Sequence, residues 1–429
     1  MKTWFHIPWV LTIAVGCGPH RIPIPEDALV VMNGTVIDGT GMPPMVDGAV
    51  VVQGDQIVAV GEASSFQIPP TARVINAGGG TILPGVINSH THSTHEAGVR
   101  RAFLIDGVTA VCNLGTTLDR LPLFDDASTP EGPAARGYWA GPIITAPGGY
   151  PGPVYGSEFA YEVGSPAEAR EAVSDLLDRG ADVIKIALAP GDPRDPWPVL
   201  DLASVEAIVD EAHSRGVLVR AHVFEPFLIE DMVLPAGVDV IEHQGLPILS
   251  PEEEGRVLDS DHPGTLLFDS IAPEYERLLA ELVERGVTMV PTLDGGVGTL
   301  FRKTGRSRVE EIVVDLYLEA TRRFHTRGGI LALGNDYGGA SDVEAGMPLA
   351  EMELLRAAGL SHMEVIVAST YHAAQVCGKG DELGSLEAGK LADIIVVDGD
   401  PLADLTAMAR VIAVIRGGEV AYEDAMDRF

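Results

Sequence analysis

The 429 residues predict an α/β chain, a (β/α)8 TIM barrel with a small β-sandwich domain formed by both chain ends. Three observations predict it. Through the middle of the chain, apolar runs of strand length alternate with stretches of helical periodicity. Both ends carry only short β-like runs separated by Gly and Asp turns. An open doubly wound sheet would need a Gly-rich phosphate loop after an early strand, and none occurs.

The elements follow in chain order. Lys2 precedes the apolar run Trp4 to Gly16, which is too short to span a bilayer and reads as a secretory signal. Thr12-Ile13-Ala14-Val15-Gly16-Cys17 resembles a bacterial lipobox, although a larger aliphatic residue is more usual where Ala14 stands. The expectation is a signal peptide over 1–17 and an exported envelope lipoprotein. It would touch the membrane only through a lipidated Cys17 and face the periplasm or the exterior.

Residues 28–38 read as strand, turn and strand, followed by β-like runs at Ala49–Val52, Ile57–Val60 and Arg73–Ile75. The texture returns at Ala392–Val397, Val411–Ile415 and Glu419–Tyr422. Residues 27–83 and 383–429 are therefore assigned to the small β-sandwich domain, and 84–382 to the barrel. The barrel runs are Ile82–Ile87, Val108–Leu114, Pro142–Ala146, Val183–Ile186, Val217–Ala221, Val238–Ile241, Val287–Pro291 and Ile330–Leu333. Between them, Ser165-Pro166-Ala167-Glu168 opens a helix with an N-cap, a Pro at the first position and an acidic first turn. Ser204–Ser214 and Pro273–Glu284 are two more helical stretches.

Composition bounds the function. The chain is 46% hydrophobic and 21% charged, which suits a large core and excludes disorder. Its 62 acidic and 29 basic side chains leave a net charge of −33, a surface that repels nucleic acid. Three cysteines make no disulfide framework, and Cys112 and Cys377 lie inside apolar patterns as small buried hydrophobes. Only five lysines occur, so Lys185 inside an apolar strand stands out.

In a barrel of this kind the chemistry sits at the C-terminal ends of the strands. The first run ends Asn88-Ser89-His90-Thr91-His92, and two histidines at i and i+2 point the same way. The fourth run carries Lys185, the fifth leads into His222, the sixth into His243 and the eighth into Asp336. Five strands thus deliver six ligand-type side chains to one rim.

The order resembles the amidohydrolase superfamily of metal-dependent hydrolases, in particular its imidazolonepropionase-like and Xaa-Pro dipeptidase branch. The matching text runs from Leu83-Pro84-Gly85-Val86-Ile87-Asn88-Ser89-His90-Thr91-His92 through Ala181-Asp182-Val183-Ile184-Lys185 and Ala221-His222. It continues through Ile241-Glu242-His243, Gly334-Asn335-Asp336 and Gly384-Ser385-Leu386-Glu387-Ala388-Gly389-Lys390. The resemblance implies two divalent metals, with zinc suited to such ligands. His90, His92 and Asp336 would hold one, His222 and His243 the other, and Lys185, carboxylated on its amine, would bridge them. It implies hydrolysis of a C–N bond in an amide, cyclic amide or dipeptide by a metal-bridged hydroxide, with Asp336, Lys185 and His243 as catalytic residues.

Rim-loop residues add weaker candidates for substrate contact: His95, Tyr150, Tyr155 and Tyr337. Two departures stand out. Arg220 shares an inward face with His222 and has no evident partner. Val223-Phe224-Glu225-Pro226 follows His222 where close relatives often carry a second histidine two residues on. The same site would also suit a lactonase or esterase, a deaminase, or an envelope-anchored binding protein that has lost turnover. The partner is a small molecule or short peptide, and a homo-oligomer remains open.

Overall fold

The computed structural model describes residues 21–125, 127–244, 272–339 and 343–424; the expected signal segment and Cys17 lie outside them. No helix among the described residues is long and apolar enough to cross a membrane.

Both chain ends meet in one sheet. Its strands run in the order Glu419–Glu423, Val411–Arg416, Ile394–Val397, Thr81–Pro84, Leu29–Val36, Met45–Gln53 and Gln56–Glu62, with Arg73–Asn76 also paired to Leu29–Val36. The seam between the ends is antiparallel, with Ile394 opposite Pro84 and Val397 opposite Thr81. Strand alternation sorts the side chains into two clusters. Val31, Val50, Val52 and Ile394 pack on one face, and Val30, Ala49, Val51 and Phe66 on the other.

The run expected as one strand over Ile82–Ile87 is broken in two. Thr81–Pro84 belongs to the terminal sheet, while Val86–Thr91 pairs in parallel with Val108–Asn113. Gly85 is the joint: its N–H bonds to the Asp393 carbonyl, and a Cβ there would lie 2.1 Å from the Thr109 hydroxyl. Only glycine fits between two sheets that approach so closely.

The middle of the chain is α/β with parallel strands. Ile143–Thr145, Ile184–Leu188, Val219–Val223, Val240–Glu242 and Thr288–Val290 follow one another in register. The third expected strand is longer than its apolar run and bent. Arg136–Trp139 pairs with Val108–Asn113, and Ile143–Thr145, beyond Gly141, pairs with Ile184–Leu188. The eighth is reduced to contacts: Met289 bridges Leu331, and the Ser89 N–H donates to the Leu333 carbonyl. Helices intervene. Pro166–Asp178 is capped as expected, the Ser165 hydroxyl accepting from the Glu168 N–H, whereas Leu202–Ser214 starts earlier than its periodicity suggests because Asp201 caps it. Ile184, Ile186 and Leu188 join the large apolar core. Alternation therefore turns Lys185 the other way, onto the face it shares with its neighbour Arg220.

Candidate metal centre

The strand ends bring five ring and carboxylate side chains around one buried amine. The Asp336 Oδ1 lies 3.5 Å from His90 Nε2 and 3.3 Å from His92 Nε2. One ligand atom from each of these three residues falls within 4.8 Å of the others, a spacing that suits one metal ion. Beside this trio, His243 Nε2 and His222 Nδ1 are 2.9 Å apart. His243 holds its other nitrogen 2.6 Å from the Thr292 hydroxyl. The Lys185 Nζ lines the same cavity, fully buried and with no hydrogen-bond partner among the described residues.

Local backbone geometry aims two of these groups. His243 and Asp336 have left-handed φ values of 69° and 61°, conformations that cost a non-glycine residue roughly 1–3 kcal/mol. His243 directly follows the strand Val240–Glu242, and Asp336 lies beyond the Met289–Leu331 bridge, so in each the left-handed turn swings the side chain over the rim.

Burial shapes the charges. It pushes the His90 imidazole down to about 4 and His243 to about 3, and drops His222 well below its ordinary value, so all three rings are neutral with a lone pair to donate. It lowers the Lys185 amine to about 8. Burial alone would raise the Asp336 carboxyl, but the His92 hydrogen bond and the imidazoles packed around it hold it well below the usual carboxylate range.

Sequence reasoning missed Glu242, and it supplies the partner that Arg220 lacked. The Arg220 Nε donates to Glu242 Oε1 at 2.6 Å, and Glu242 Oε2 lies 2.6 Å from His90 Nδ1. All three residues are buried. Arg220 also donates to the Val376 carbonyl at 3.1 Å. The inward parity of Val240 and Glu242 was the available signal, hidden because a glutamate before a strand-end histidine reads as a solvated rim residue.

The amidohydrolase family model matches residues 81–421 of the chain. The chain belongs to the amidohydrolase family. It is an enzyme that hydrolyses carbon–nitrogen bonds. It is 24% identical to an imidazolonepropionase from Symbiobacterium thermophilum, over 87% of this chain and 91% of that one. Among solved structures it is similar to a putative prolidase from Bifidobacterium longum, at 26% identity and a TM-score of 0.71, covering 93% of this chain and 96% of the other. A Xaa-Pro dipeptidase with bound methionine matches at 22% identity and a TM-score of 0.71, covering 93% of this chain and all of that one.

The cavity of this amidohydrolase has a volume of about 240 Å³. Tyr150 and Tyr155 both line it. Tyr150 stacks on His222 at 4.5 Å between ring centroids, and Tyr155 donates to the Gly339 carbonyl at 3.4 Å. Phe224 stacks on His243 at 4.6 Å and closes that flank with an apolar ring. The other two rim-loop candidates are not among the lining residues. Tyr337 packs edge-on against Phe103 at 5.0 Å, because its backbone is tied to Thr91 and its ring faces the outer core. His95 is half-buried beside the cavity, and its carbonyl accepts from the buried Arg100 guanidinium. Cys112 and Cys377 are free thiols, both buried.

Proposed function

We propose that this amidohydrolase cleaves a C–N bond of a small amide, cyclic amide or dipeptide at a binuclear centre, with zinc as the metal. His90, His92 and Asp336 would hold one ion, and His222 and His243 the second. Lys185, carboxylated on Nζ, would bridge them. The observation that carries this reading is the buried Lys185 amine, without a hydrogen-bond partner among the described residues, in the same cavity as both sets of donor atoms. As an ammonium it would repel divalent ions, whereas a carbamate is an anionic ligand with two oxygens, and an amine lowered to about 8 has a neutral fraction that reacts with CO2.

When bound, the metals would lower the pKa of a water molecule and polarise the scissile carbonyl. Asp336 takes the proton that the attacking water releases and hands it to the leaving nitrogen. His243, neutral and fixed through Thr292, keeps a lone pair directed into the site. Tyr150 and Phe224 lie against the rings of His222 and His243 and keep water from them.

The reading extends to the scaffold and its placement. The parallel strands would close as a (β/α)8 barrel over 84–382, supported by the Met289–Leu331 bridge and the bond from Ser89 to Leu333. Residues 27–83 and 383–429 would form the small β-sandwich domain. Export as a lipoprotein anchored at Cys17 rests on the lipobox-like run alone, and Cys17→Ser should move the protein from the membrane fraction to the soluble one; unchanged partitioning would contradict it.

The test of function is a hydrolysis screen of the zinc-loaded enzyme against dipeptides, N-acyl amino acids, cyclic amides, aminated heterocycles and lactones. Turnover confined to amide and peptide C–N bonds is expected. Turnover of lactones alone would replace this reading with the esterase one, and deamination alone with the deaminase one.

A further inference from the structure

The geometry points to Arg120 and Thr116 as an anion-binding subsite, which narrows the substrates of the proposed reaction to amides that carry a carboxylate. This inference rests on the cavity being the substrate site. Both residues line that cavity together with His90, His222 and Lys185. Both follow the second parallel strand, Val108–Asn113, and Arg120 lies in the short helical segment Leu118–Asp125.

Their side chains have donors without acceptors. In a chain with 62 acidic residues to 29 basic, guanidinium groups usually find an oxygen. Arg136 is bidentate to Asp393, Arg220 meets Glu242, and Arg100 donates to the carbonyls of Thr94 and His95. The Arg120 guanidinium has neither an ion pair nor a hydrogen-bond acceptor among the described residues. The adjacent Asp119 is exposed, and Arg120 acts on its carboxylate through charge alone, with no salt bridge between them. What holds Arg120 is the ring of Phe159, another cavity residue, 5.7 Å from the guanidinium carbon. A cation over an aromatic face keeps its N–H groups, which radiate in the guanidinium plane, available to a ligand.

Thr116 is an independent observation. It is 1% exposed, and its hydroxyl has no hydrogen-bond partner among the described residues. A buried hydroxyl without a partner is costly, so a ligand that accepts from it is favoured. A planar carboxylate accepts from a guanidinium and a hydroxyl at once, whereas a carboxamide offers one oxygen and no charge. N-acylated amino acids and dipeptides carry such a group next to the bond that the centre would cleave.

The experiment uses matched pairs, N-acetyl amino acids and dipeptides against their C-terminal amides, with the full zinc-loaded enzyme. The carboxylate member should show a KM lower by about ten- to a hundredfold, the range of one charge-assisted hydrogen bond to a substrate. Arg120→Met, which keeps the apolar stem on Phe159, should erase that preference and bring the two members to within about twofold. Thr116→Val should reduce it in part. Amides turned over as well as acids by the wild type, or a preference that survives Arg120→Met, would overturn the inference. If neither member of any pair is hydrolysed, the hydrolase reading fails by itself. Calorimetric titration of the same compounds then decides the subsite: tighter binding of the acids, lost in Arg120→Met, supports it, and equal or no binding by the wild type overturns it.

Discussion

At the scale of single residues, His90 is fixed from behind by a carboxylate. Burial would raise the Glu242 carboxyl, but Arg220, Lys185 and His90 together hold it well below its ordinary range, so it is ionised and can only accept. The proton of His90 therefore sits on Nδ1, and Nε2 offers its lone pair beside Asp336. Glu242→Gln presents an amide that can donate to Nδ1 and favour the wrong tautomer. Metal affinity should fall by about ten- to a hundredfold. The same change leaves Arg220 buried without its counter-charge, a cost of about 3–5 kcal/mol. The double variant Arg220→Met/Glu242→Gln separates the two effects. Thermal unfolding should recover towards the wild type, while competition with a chelator should still report weak metal binding. Wild-type affinity in the double variant would contradict this account of His90. The six ligand-type residues were legible because each stands at the end of an apolar run. Glu242 and Arg120 were not, since their roles depend on what lies across a strand pair or a cavity.

At the scale of elements, the seventh and eighth strands are the least regular, and a buried carboxyl steadies the turn after the seventh. Glu351, on the helix Leu349–Ala357, accepts from the N–H groups of Leu293 and Asp294 at 3.1 and 2.6 Å. These open the turn Asp294–Gly298, in which a Cβ on Gly295 would lie 2.8 Å from the Asp336 Cβ. Burial pushes the Glu351 carboxyl from its ordinary 4.5 up to about 8, against the pull of the two N–H bonds. The folded chain thus keeps a proton that the unfolded chain loses, and Glu351's contribution to stability falls as pH rises from about 4.5 to about 8, then levels off. Glu351→Gln should lack that component: the difference in unfolding free energy between it and the wild type should shift in its favour across this window. Parallel pH profiles would contradict the shift. Caps such as Ser165 were legible because their signals are local. The split at Gly85 and the bend at Gly141 were not, because both answer to neighbouring strands rather than to their own sequence.

At the scale of the whole molecule, the two chain ends and the α/β middle are joined by polar contacts that apolar patterning cannot reveal. Asp393, at the seam of the terminal sheet, receives two hydrogen bonds from Arg136 and one from the Gly417 N–H. The β texture at both ends was readable, but that junction pairs residues 257 positions apart. We propose that this scaffold gathers six side chains into a binuclear metal centre bridged by Lys185. Metal analysis of the folded protein after expression with zinc tests it most directly, with Lys185→Ala measured beside the wild type. About two ions per wild-type chain and about one in Lys185→Ala are expected. A folded wild-type chain without metal, or a Lys185→Ala chain that still holds two ions, would contradict it.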